Sequence, residues 1–444
     1  FSHAYSVLVG EADYDKAEKM LRYAESRYED NGSAWTEEER NEFWGCYHFL
    51  KMHYASSVLL DPGQAELNLR LSKRYAPAGI HLIPVKPRYA GLPSIWREHI
   101  GQHLDFIDAK QLVYNLRSLI APMEEAGLAA VPLACLAELL YEFDRLDEAE
   151  LYAARALKSG GLTHPGRMAA LLPAHLVLFR VRRLRGERAR AMETLLEAKR
   201  ELAELGMADS LVYCDGELAL MALEEGHAGP ALAWRGQYPL RAEDAIGDRR
   251  LYQYQYLARI AAAQGRHDEA MRLAEKLIGL AVRTGRFQVE AESAVLKLVL
   301  LHRAGRTEEA LPLLRSVLGA SEPRGYRRTL LDAGQPLAKL LTLLAESWDL
   351  RQEGDWPSPG YVRELLLGFG WSWTGGSLAD PAPGLTRKER EVLRLIVHRR
   401  TNKEIADELG IGVGTVKSHI KNIYSKLEVG SRAEAIWKGA LMEL

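Results

Sequence analysis

The stretch "NKEIADELGIGVGTVKSHIKNIYSKL", residues 402–427, contains two helical patterns separated by a short glycine-containing segment. In the second pattern, apolar residues recur at spacings of 4, 3 and 4 and form one stripe of a helix from about 413 to 427. Gly410 is expected to end the first helix, because glycine adopts a left-handed conformation at little cost. Two helices joined in this way predict a helix-turn-helix. The stripe residues are Val416, Ile420, Ile423 and Leu427.

The same stretch invites a second interpretation, a loop that cradles nucleotide phosphates. Glycines at alternate positions, followed by Lys417 and Ser418, suggest such a loop. A phosphate-binding loop, however, needs glycine directly before the lysine and an apolar strand before the loop. Here Val416 precedes the lysine and a helical pattern precedes the glycines. The sequence therefore disfavours nucleotide binding at this position.

Three motifs around this stretch share one helix-start signature. In each, a hydroxyl residue is followed three residues later by Glu, so that each side chain can accept the other residue's backbone N–H in a capping box. The motifs predict helices at about 387–398, 402–409 and 432–442, in addition to the one at 413–427. They are "TRKE" at 386–389, "TNKE" at 401–404 and "SRAE" at 431–434.

Upstream of these helices the chain changes character. The segment "TGGSLADPAPG", residues 374–384, is rich in Gly, Pro and small polar residues, which is typical of a linker. We therefore predict three parts: a helical-repeat region at 1–373, a linker at 374–384 and a C-terminal domain at 385–444.

The region before the linker repeats itself. An alanine after a charged turn recurs at intervals of 42, 40, 39 and 40 residues, and in the last four copies a glycine stands five residues earlier. After each alanine the apolar residues keep helical spacing, as in "GRHDEAMRLAEKL" at 265–277. Each period predicts a pair of helices that buries its apolar face by stacking on the next pair. The alanines are Ala149, Ala191, Ala231, Ala270 and Ala310, and the glycines are Gly186, Gly226, Gly265 and Gly305.

The repeat is longer than a standard tetratricopeptide, so the region is predicted to be a tetratricopeptide-like solenoid. A fainter copy surrounds Ala17, and a segment with four prolines at 75–93 interrupts the pattern as an irregular excursion within the solenoid. The predicted fold class is all-α, a helical-repeat solenoid followed by a helix-turn-helix domain.

Composition agrees with a soluble protein that has a basic C-terminus. The 444 residues carry a net charge of -2, whereas residues 385–444 hold 12 Lys and Arg against 8 Asp and Glu. This asymmetry permits binding of nucleic acid. The longest apolar run is about half of the roughly 18 residues that a membrane span requires, so no membrane partner is expected. Three distant cysteines predict neither disulfides nor a zinc site, and a cytoplasmic location is expected.

Four motifs together resemble the LuxR-type DNA-binding domain, a four-helix helix-turn-helix module, over about residues 384–440. They are "LTRKEREVLRLIV", "TNKEIADELGI", "GTVKSHIKNIYSKLEV" and "SRAEAI". The repeats resemble the sensor of the large MalT-like regulators, in which such repeats bind an inducer. The resemblance implies a DNA-binding transcriptional regulator, not an enzyme, whose solenoid senses a small-molecule or protein effector. Its implied partners are double-stranded DNA, a second copy of the chain on DNA, and RNA polymerase.

The resemblance also assigns roles to residues of the helix-turn-helix. It implies that one set faces base edges in the major groove and that a second set holds phosphates. The last helix, from Arg432, is implied as the dimer contact. The base-reading residues are Lys417, Ser418 and Lys421, and the phosphate-binding residues are Thr401, Asn402, Lys403, Thr415 and Asn422.

Two positions depart from the common pattern of that family. Gly412 stands where Ser often caps the recognition helix, and Arg399 stands where a helix-ending Gly is usual. A shift in affinity is expected from these changes, because neither removes a DNA-facing residue. Large members of the family also carry an N-terminal ATPase domain. No ATPase motif and no other cofactor motif occurs in these residues. Because the chain begins at Phe1 without an initiator Met, it is expected to be a C-terminal fragment, and any ATP is expected to bind only upstream of Phe1.

Two further clusters suggest ligands. His99 and His103 have the spacing of a metal-binding pair, but a zinc protease needs Glu directly after the first His, where Ile100 stands, so histidines without a metal are favoured. The tyrosines of "LYQYQYLAR", residues 251–259, could line an effector groove, although alternate residues of a helix point to different sides and packing between repeats competes with that role. The effector-binding candidates are Trp234, Tyr252, Tyr256 and Arg259.

Two alternatives remain open for the function. In the first, the protein is an interaction scaffold whose repeats bind protein and whose terminal helices merely cap the stack. In the second, the C-terminal module is the related domain of sigma factors, which shares the "LT..ER" start, although the "KSHIKNIYSKL" helix favours the LuxR type.

Overall fold

A computed structural model shows an all-α protein, as the sequence predicts. It describes residues 1–11, 13–55, 61–77, 90–94, 109–125, 127–160, 165–247, 250–346, 357–369, 385–398 and 400–427, and positions 429, 431, 432, 435, 436 and 439. Within these residues there are 21 α-helices and no β-strand.

The helices fall into three groups along the chain. The first four are α1 Ser2–Tyr5, α2 Tyr14–Asn31, α3 Glu37–Tyr54 and α4 Pro62–Tyr75. The next eleven are α5 Ala109–Glu125, α6 Ala130–Glu142, α7 Leu146–Lys158, α8 Pro165–Leu184, α9 Arg188–Glu204, α10 Leu211–Glu224, α11 Gly229–Gln237, α12 Leu251–Ala263, α13 His267–Arg283, α14 Phe287–Arg303 and α15 Thr307–Ser321. The last six are α16 Arg328–Leu331, α17 Gln335–Glu346, α18 Pro359–Gly368, α19 Arg387–Val397, α20 Asn402–Leu409 and α21 Val413–Lys426.

The predicted repeat glycines end the first helix of each pair. All four have φ between 71° and 80°, and in the first copy Asp144 takes the same place with φ 61°. The backbone N–H that follows then returns to the helix, as where Arg266 donates to the carbonyl of Ala261 at 2.9 Å. These are Schellman turns, which satisfy carbonyls that the helix end leaves unpaired. The predicted role of the glycines is confirmed.

The repeat alanines let the paired helices pack closely. All five are completely buried, and each lies on the second helix of a pair, which packs on the first in α6 with α7, α8 with α9 and α12 with α13. The first helices of neighbouring pairs also meet, α6 with α8 and α10 with α12. The period near 40 residues follows from helices of up to 20 residues joined by short turns.

The N-terminal helices form a related but more aromatic stack. Ala17, the centre of the faint copy, is buried beside a cluster that includes Tyr28, Phe43 and Tyr47. Most of the proline-rich segment lies outside the described residues. Its described end packs against the repeats, since a Cβ added to Gly91 would come within 2.1 Å of the hydroxyl of Ser210.

Backbone contacts divide the chain into two compact units, Phe1–Ser293 and Ala294–Leu444. This division falls inside α14 and not at the predicted linker. The linker at 374–384 lies outside the described residues, and the predicted boundaries stay predictions.

The C-terminal helices α19, α20 and α21 surround a small core of their own. Both capping boxes that start α19 and α20 form as predicted, with Thr386 and Glu389 in one and Thr401 and Glu404 in the other. The third motif, at 431–434, lies partly outside the described residues, as does most of the helix predicted at 432–442. The core residues are Leu385, Val392, Leu393, Leu395, Ile396, Ile405, Ala406, Val416, Ile423, Leu427, Val429, Ala435 and Ile436.

The remaining sequence predictions concern cysteines, metals and membranes. Cys46, Cys135 and Cys214 are free, buried thiols, and burial raises the pKa of Cys214 to about 12. In the part of the chain that the structure describes, no helix could cross a membrane, and no group of three or more His, Cys, Asp or Glu is placed to hold a metal ion. The histidine pair at His99 and His103 lies outside that part.

Candidate nucleic-acid interface

The turn between α20 and α21 has the predicted geometry. Gly410 adopts a left-handed conformation with φ 63°, and the N–H of Ile411 donates to the carbonyl of Ala406 at 3.0 Å. Gly412 then serves as the N-cap of α21 with an extended backbone and no side-chain cap. Glycine at this position costs only a few tenths of a kcal/mol relative to a good cap. The chain therefore passes from one helix to the other in a three-residue turn.

One face of α21 is fixed by the domain core. Val416, Ile423 and Leu427 are buried, and Ile420 packs half-buried beside them. Both α19 and α20 contact α21. The predicted stripe is thus confirmed, and it sets which side of the helix faces outward.

The opposite face carries all five of the candidates that the sequence places on α21. Their side chains are exposed. Among the described residues, neither Lys417 nor Lys421 has a carboxylate within ion-pair distance, so both ammonium groups are available to an anion. The hydroxyl of Ser418 donates to the carbonyl of Gly414 at 3.2 Å, which leaves its oxygen free to accept. These candidates are Thr415, Lys417, Ser418, Lys421 and Asn422.

At the start of α20, where the sequence predicts phosphate contacts, a carboxylate already occupies part of the helix end. The N–H of Thr401 donates to Glu404 at 2.6 Å, and the hydroxyl of Thr401 accepts from the N–H of Glu404 at 3.3 Å. These bonds lower the pKa of Glu404, so a negative charge stays at this helix end. The N–H groups of Asn402 and Lys403 have no helical partner at this position. These two groups and the exposed Lys403 ammonium are the donors that the predicted phosphate contact has available here.

Two contacts that the sequence alone did not predict hold the domain together. Arg432 donates to the side-chain oxygen of Asn402 at 2.8 Å and also to the carbonyl of Arg400. Lys426 donates to Glu389 at 2.8 Å, and Glu389 is almost fully buried. Burial alone would raise the pKa of Glu389, but the bonds from Lys426 and Thr386 outweigh burial and lower it. The Lys426 ammonium is therefore bound to a buried carboxylate of the domain, whereas Lys417 and Lys421 are exposed on the outer face.

The effector candidates of the repeat region lie inside the helical stack. Trp234 is 2% exposed and donates to the carbonyl of Val212 at 2.9 Å, and Tyr252 and Tyr256 are also buried. This placement corrects the expectation that the rings line a groove, because rings packed between helices have no free face for a ligand. It favours the packing alternative. Arg259 is half-exposed, and its proposed role stays a prediction.

Tyr256 and Arg259 belong to a buried ionic network instead. Both donate to Glu217, the tyrosine hydroxyl at 2.8 Å and the guanidinium at 3.2 Å, and Arg180 approaches the same carboxylate at 4.0 Å. Burial would raise the pKa of Glu217, but Arg259 and Arg180 outweigh it and lower the pKa to about 2. The network joins α8, α10 and α12 across three successive repeats. The sequence marked Tyr256 and Arg259 as effector-binding candidates but did not indicate their contact with Glu217, because a spacing of 37 to 42 residues has meaning only in the folded stack.

A stack of helical repeats together with a helix-turn-helix domain, whose recognition helix presents exposed lysines on its outer face, defines the class of helix-turn-helix transcriptional regulators. Family comparisons give the same result. Residues 118–347 match the MalT-like TPR region, and residues 383–438 match the luxR family of bacterial regulatory proteins. The chain belongs to the MalT-like family and carries a LuxR-type domain.

Individual relatives divide between the two parts of the chain. The HTH-type transcriptional regulator MalT of Vibrio campbellii is 26% identical over 339 residues, which cover 71% of this chain and 37% of that protein. The transcriptional regulatory protein LiaR of Bacillus subtilis is 52% identical over 60 residues, 14% of this chain and 28% of LiaR. The spore germination protein GerE of Bacillus subtilis is 50% identical over 54 residues, 12% of this chain and 73% of GerE. The match thus spans about 37% of the length of the MalT relative.

Proposed function

We propose that this chain regulates transcription by binding double-stranded DNA through α21. The observation that carries the proposal is the exposed face of this helix. Its apolar side packs into the domain core, and its outer side presents Lys417 and Lys421, neither of which pairs with a carboxylate of the described residues. An α-helix of this kind fits the major groove, where lysine can donate to guanine acceptors.

The proposal predicts salt-dependent DNA binding. Affinity of the chain for a duplex of random sequence falls as salt rises from about 50 to 200 mM, because bound cations replace counterions on the phosphates. Lys417→Ala and Lys421→Ala each weaken binding, by about tenfold where the lysine contacts a base. Fluorescence anisotropy of a labelled duplex over a salt series measures both effects.

A matched control separates this role from general charge. Lys388 is exposed in the same domain but pairs with Glu391 at 2.8 Å. Lys388→Ala is expected to leave affinity within about twofold of the unmodified chain. Absence of binding at low salt contradicts the proposal and favours the interaction scaffold.

Further parts of the proposal rest on the family. The repeats sense a small-molecule or protein effector, and two copies of the chain pair on DNA at half-sites about one helical turn, or 34–36 Å, apart. The protein acts in the cytoplasm with RNA polymerase as a partner. These residues regulate transcription and have no catalytic role of their own. A thermal-shift screen of sugars, nucleotides and peptides identifies the effector as the compound that raises the unfolding temperature.

A further inference from the structure

Val413 is an apolar side chain that the domain core does not use. It is 40% exposed at the first position of α21. The other large apolar residues of this helix, Val416, Ile420, Ile423 and Tyr424, all pack into or against the core. A single exposed apolar residue is common on protein surfaces, so its position on the helix matters more than its exposure.

Other residues already provide the apolar packing that is usual at a helix start. A residue just before the N-cap often packs on the fourth helical residue and fixes the entry of the chain. In α21 these two residues are Ile411, which packs half-buried against the domain core, and Val416, which belongs to it. Val413 is not among the residues of that core, so core packing does not account for a branched apolar side chain at this position.

The two residues beside Val413 in the chain have no side chains. It stands between Gly412 and Gly414, both exposed. A Cβ added to Gly414 would meet no atom within 4 Å, and one added to Gly412 would meet only the Thr415 hydroxyl, at 3.7 Å. Neither chain neighbour of Val413 has a side chain that could cover the isopropyl group, which is 40% exposed. Lys417 lies one turn further along the same side of the helix, since residues four apart in a helix are neighbours.

We propose that Val413 reads a thymine by packing its isopropyl group against the C5-methyl in the major groove. The proposal rests on the proposed function and deepens it. The first residues of a recognition helix are those that reach base edges, and the thymine methyl is the apolar feature of the major-groove edge. Because valine offers no hydrogen bond there, it distinguishes thymine by contact alone. The thymine lies beside the base pair that Lys417 contacts.

The test begins with selection of binding sites for the full chain from a random duplex library. Each thymine of the selected site is then replaced by deoxyuridine, which lacks only the methyl group. Selection repeated with Lys417→Ala identifies the base pair that Lys417 specifies, because the preference at that position disappears. In either half-site, replacing the thymine next to this base pair is expected to weaken binding about fourfold, the effect of one buried methyl. Val413→Ala is expected to abolish this penalty and to leave the salt dependence unchanged, because no charge is removed.

Two variants sharpen the comparison. Ser425→Ala changes an exposed residue near the other end of the helix and is expected to keep the deoxyuridine penalty. Lys421→Ala is expected to keep the penalty but reduce the affinity. A selected site without a fixed thymine at that place, or a penalty that Val413→Ala leaves intact, overturns the assignment while the proposed function stands. Failure of the chain to bind any duplex at low salt overturns both.

Discussion

At the scale of single residues, Glu217 shows how the repeat region tolerates a buried charge. The carboxylate is 1% exposed, yet it accepts from Tyr256 and Arg259 and faces Arg180. Removing two or more charges from water is costly, so such a group is held only where its partners satisfy it. The ring of Tyr256 also lies beneath the Arg259 guanidinium, 5.1 Å from its centre. The Glu217 carboxylate is thus held by ion pairs and hydrogen bonds, and the Arg259 guanidinium that pairs with it also lies over the Tyr256 ring.

Glu217→Gln is predicted to lower the free energy of unfolding by about 2–4 kcal/mol, since it leaves two guanidinium groups without their carboxylate. The effect lies toward the lower end of that range because Arg259 is half-exposed to water. The pKa of Glu217 is depressed from 4.5 to about 2 in the folded chain. Its stabilising effect is therefore complete above about pH 4.5 and lost as pH falls toward 2. Denaturation followed by circular dichroism across this window measures it.

A matched variant checks that the pH effect belongs to this site. Glu193→Gln removes an exposed carboxylate from α9 and is expected to change the free energy of unfolding by less than about 0.5 kcal/mol. The unmodified chain should lose more stability between pH 4.5 and 2 than Glu217→Gln does. Parallel losses in the two proteins would mean that other carboxylates govern acid unfolding.

At the scale of helices, each repeat turn needs a residue in the left-handed conformation, and the glycine at that position in the sequence predicts it. Gly265 has φ 76° between α12 and α13, a region that residues with a Cβ enter at a cost of about 1–2 kcal/mol. Gly265→Ala is predicted to lower the free energy of unfolding by that amount. No neighbouring atom lies within 4 Å of the added Cβ, so the loss comes from the backbone alone. Urea denaturation of the full chain measures it.

Gly279 is the control for this prediction, because it lies in the interior of α13 with ordinary helical geometry. A Cβ there would meet only the flexible end of Arg283, at 3.5 Å. Gly279→Ala is expected to raise the free energy of unfolding by up to about 1 kcal/mol, since alanine favours the helix. Two substitutions of the same kind, fourteen positions apart, should have opposite signs. Equal signs would refute the assignment of the turn.

Contacts within a few residues and contacts between distant residues differ in how far the sequence could predict them. Helix starts, helix ends and apolar stripes depend on residues within a few positions, so the capping box at Thr401, the left-handed Gly410 and the stripe of Val416 were all predictable. The exposed lysines of α21 followed once that stripe was known. Contacts between distant residues were not predictable, because Asn402 with Arg432 and Glu217 with Arg259 become neighbours only in the folded chain. Tyr256 had the composition of a binding residue, but its place inside the stack decides its role.

At the scale of the unit Phe1–Ser293, one contact departs from the nearest-neighbour rule of a solenoid. Gln288, at the start of α14, donates to Glu142, at the end of α6, with 3.1 Å between nitrogen and oxygen. Both side chains are buried, although 146 residues separate them. In a stack whose repeats touch only adjacent repeats, these helices would not meet. The first helices of the repeats therefore follow a curve that brings α14 into contact with α6. The hydrogen bond between Gln288 and Glu142 couples these two helices.

Gln288→Ala tests that coupling. Loss of a buried hydrogen bond of about 1 kcal/mol is expected to speed amide exchange about fivefold in peptides from residues 130–142 as well as in those around the substitution. Hydrogen exchange read by mass spectrometry resolves the two regions. Gln253→Ala removes a side chain whose one hydrogen bond within the described residues is local, to Arg250 three residues away, and it should leave 130–142 unchanged. If exchange in 130–142 is the same in both variants, the distant contact contributes nothing to stability and each repeat responds to its neighbours alone.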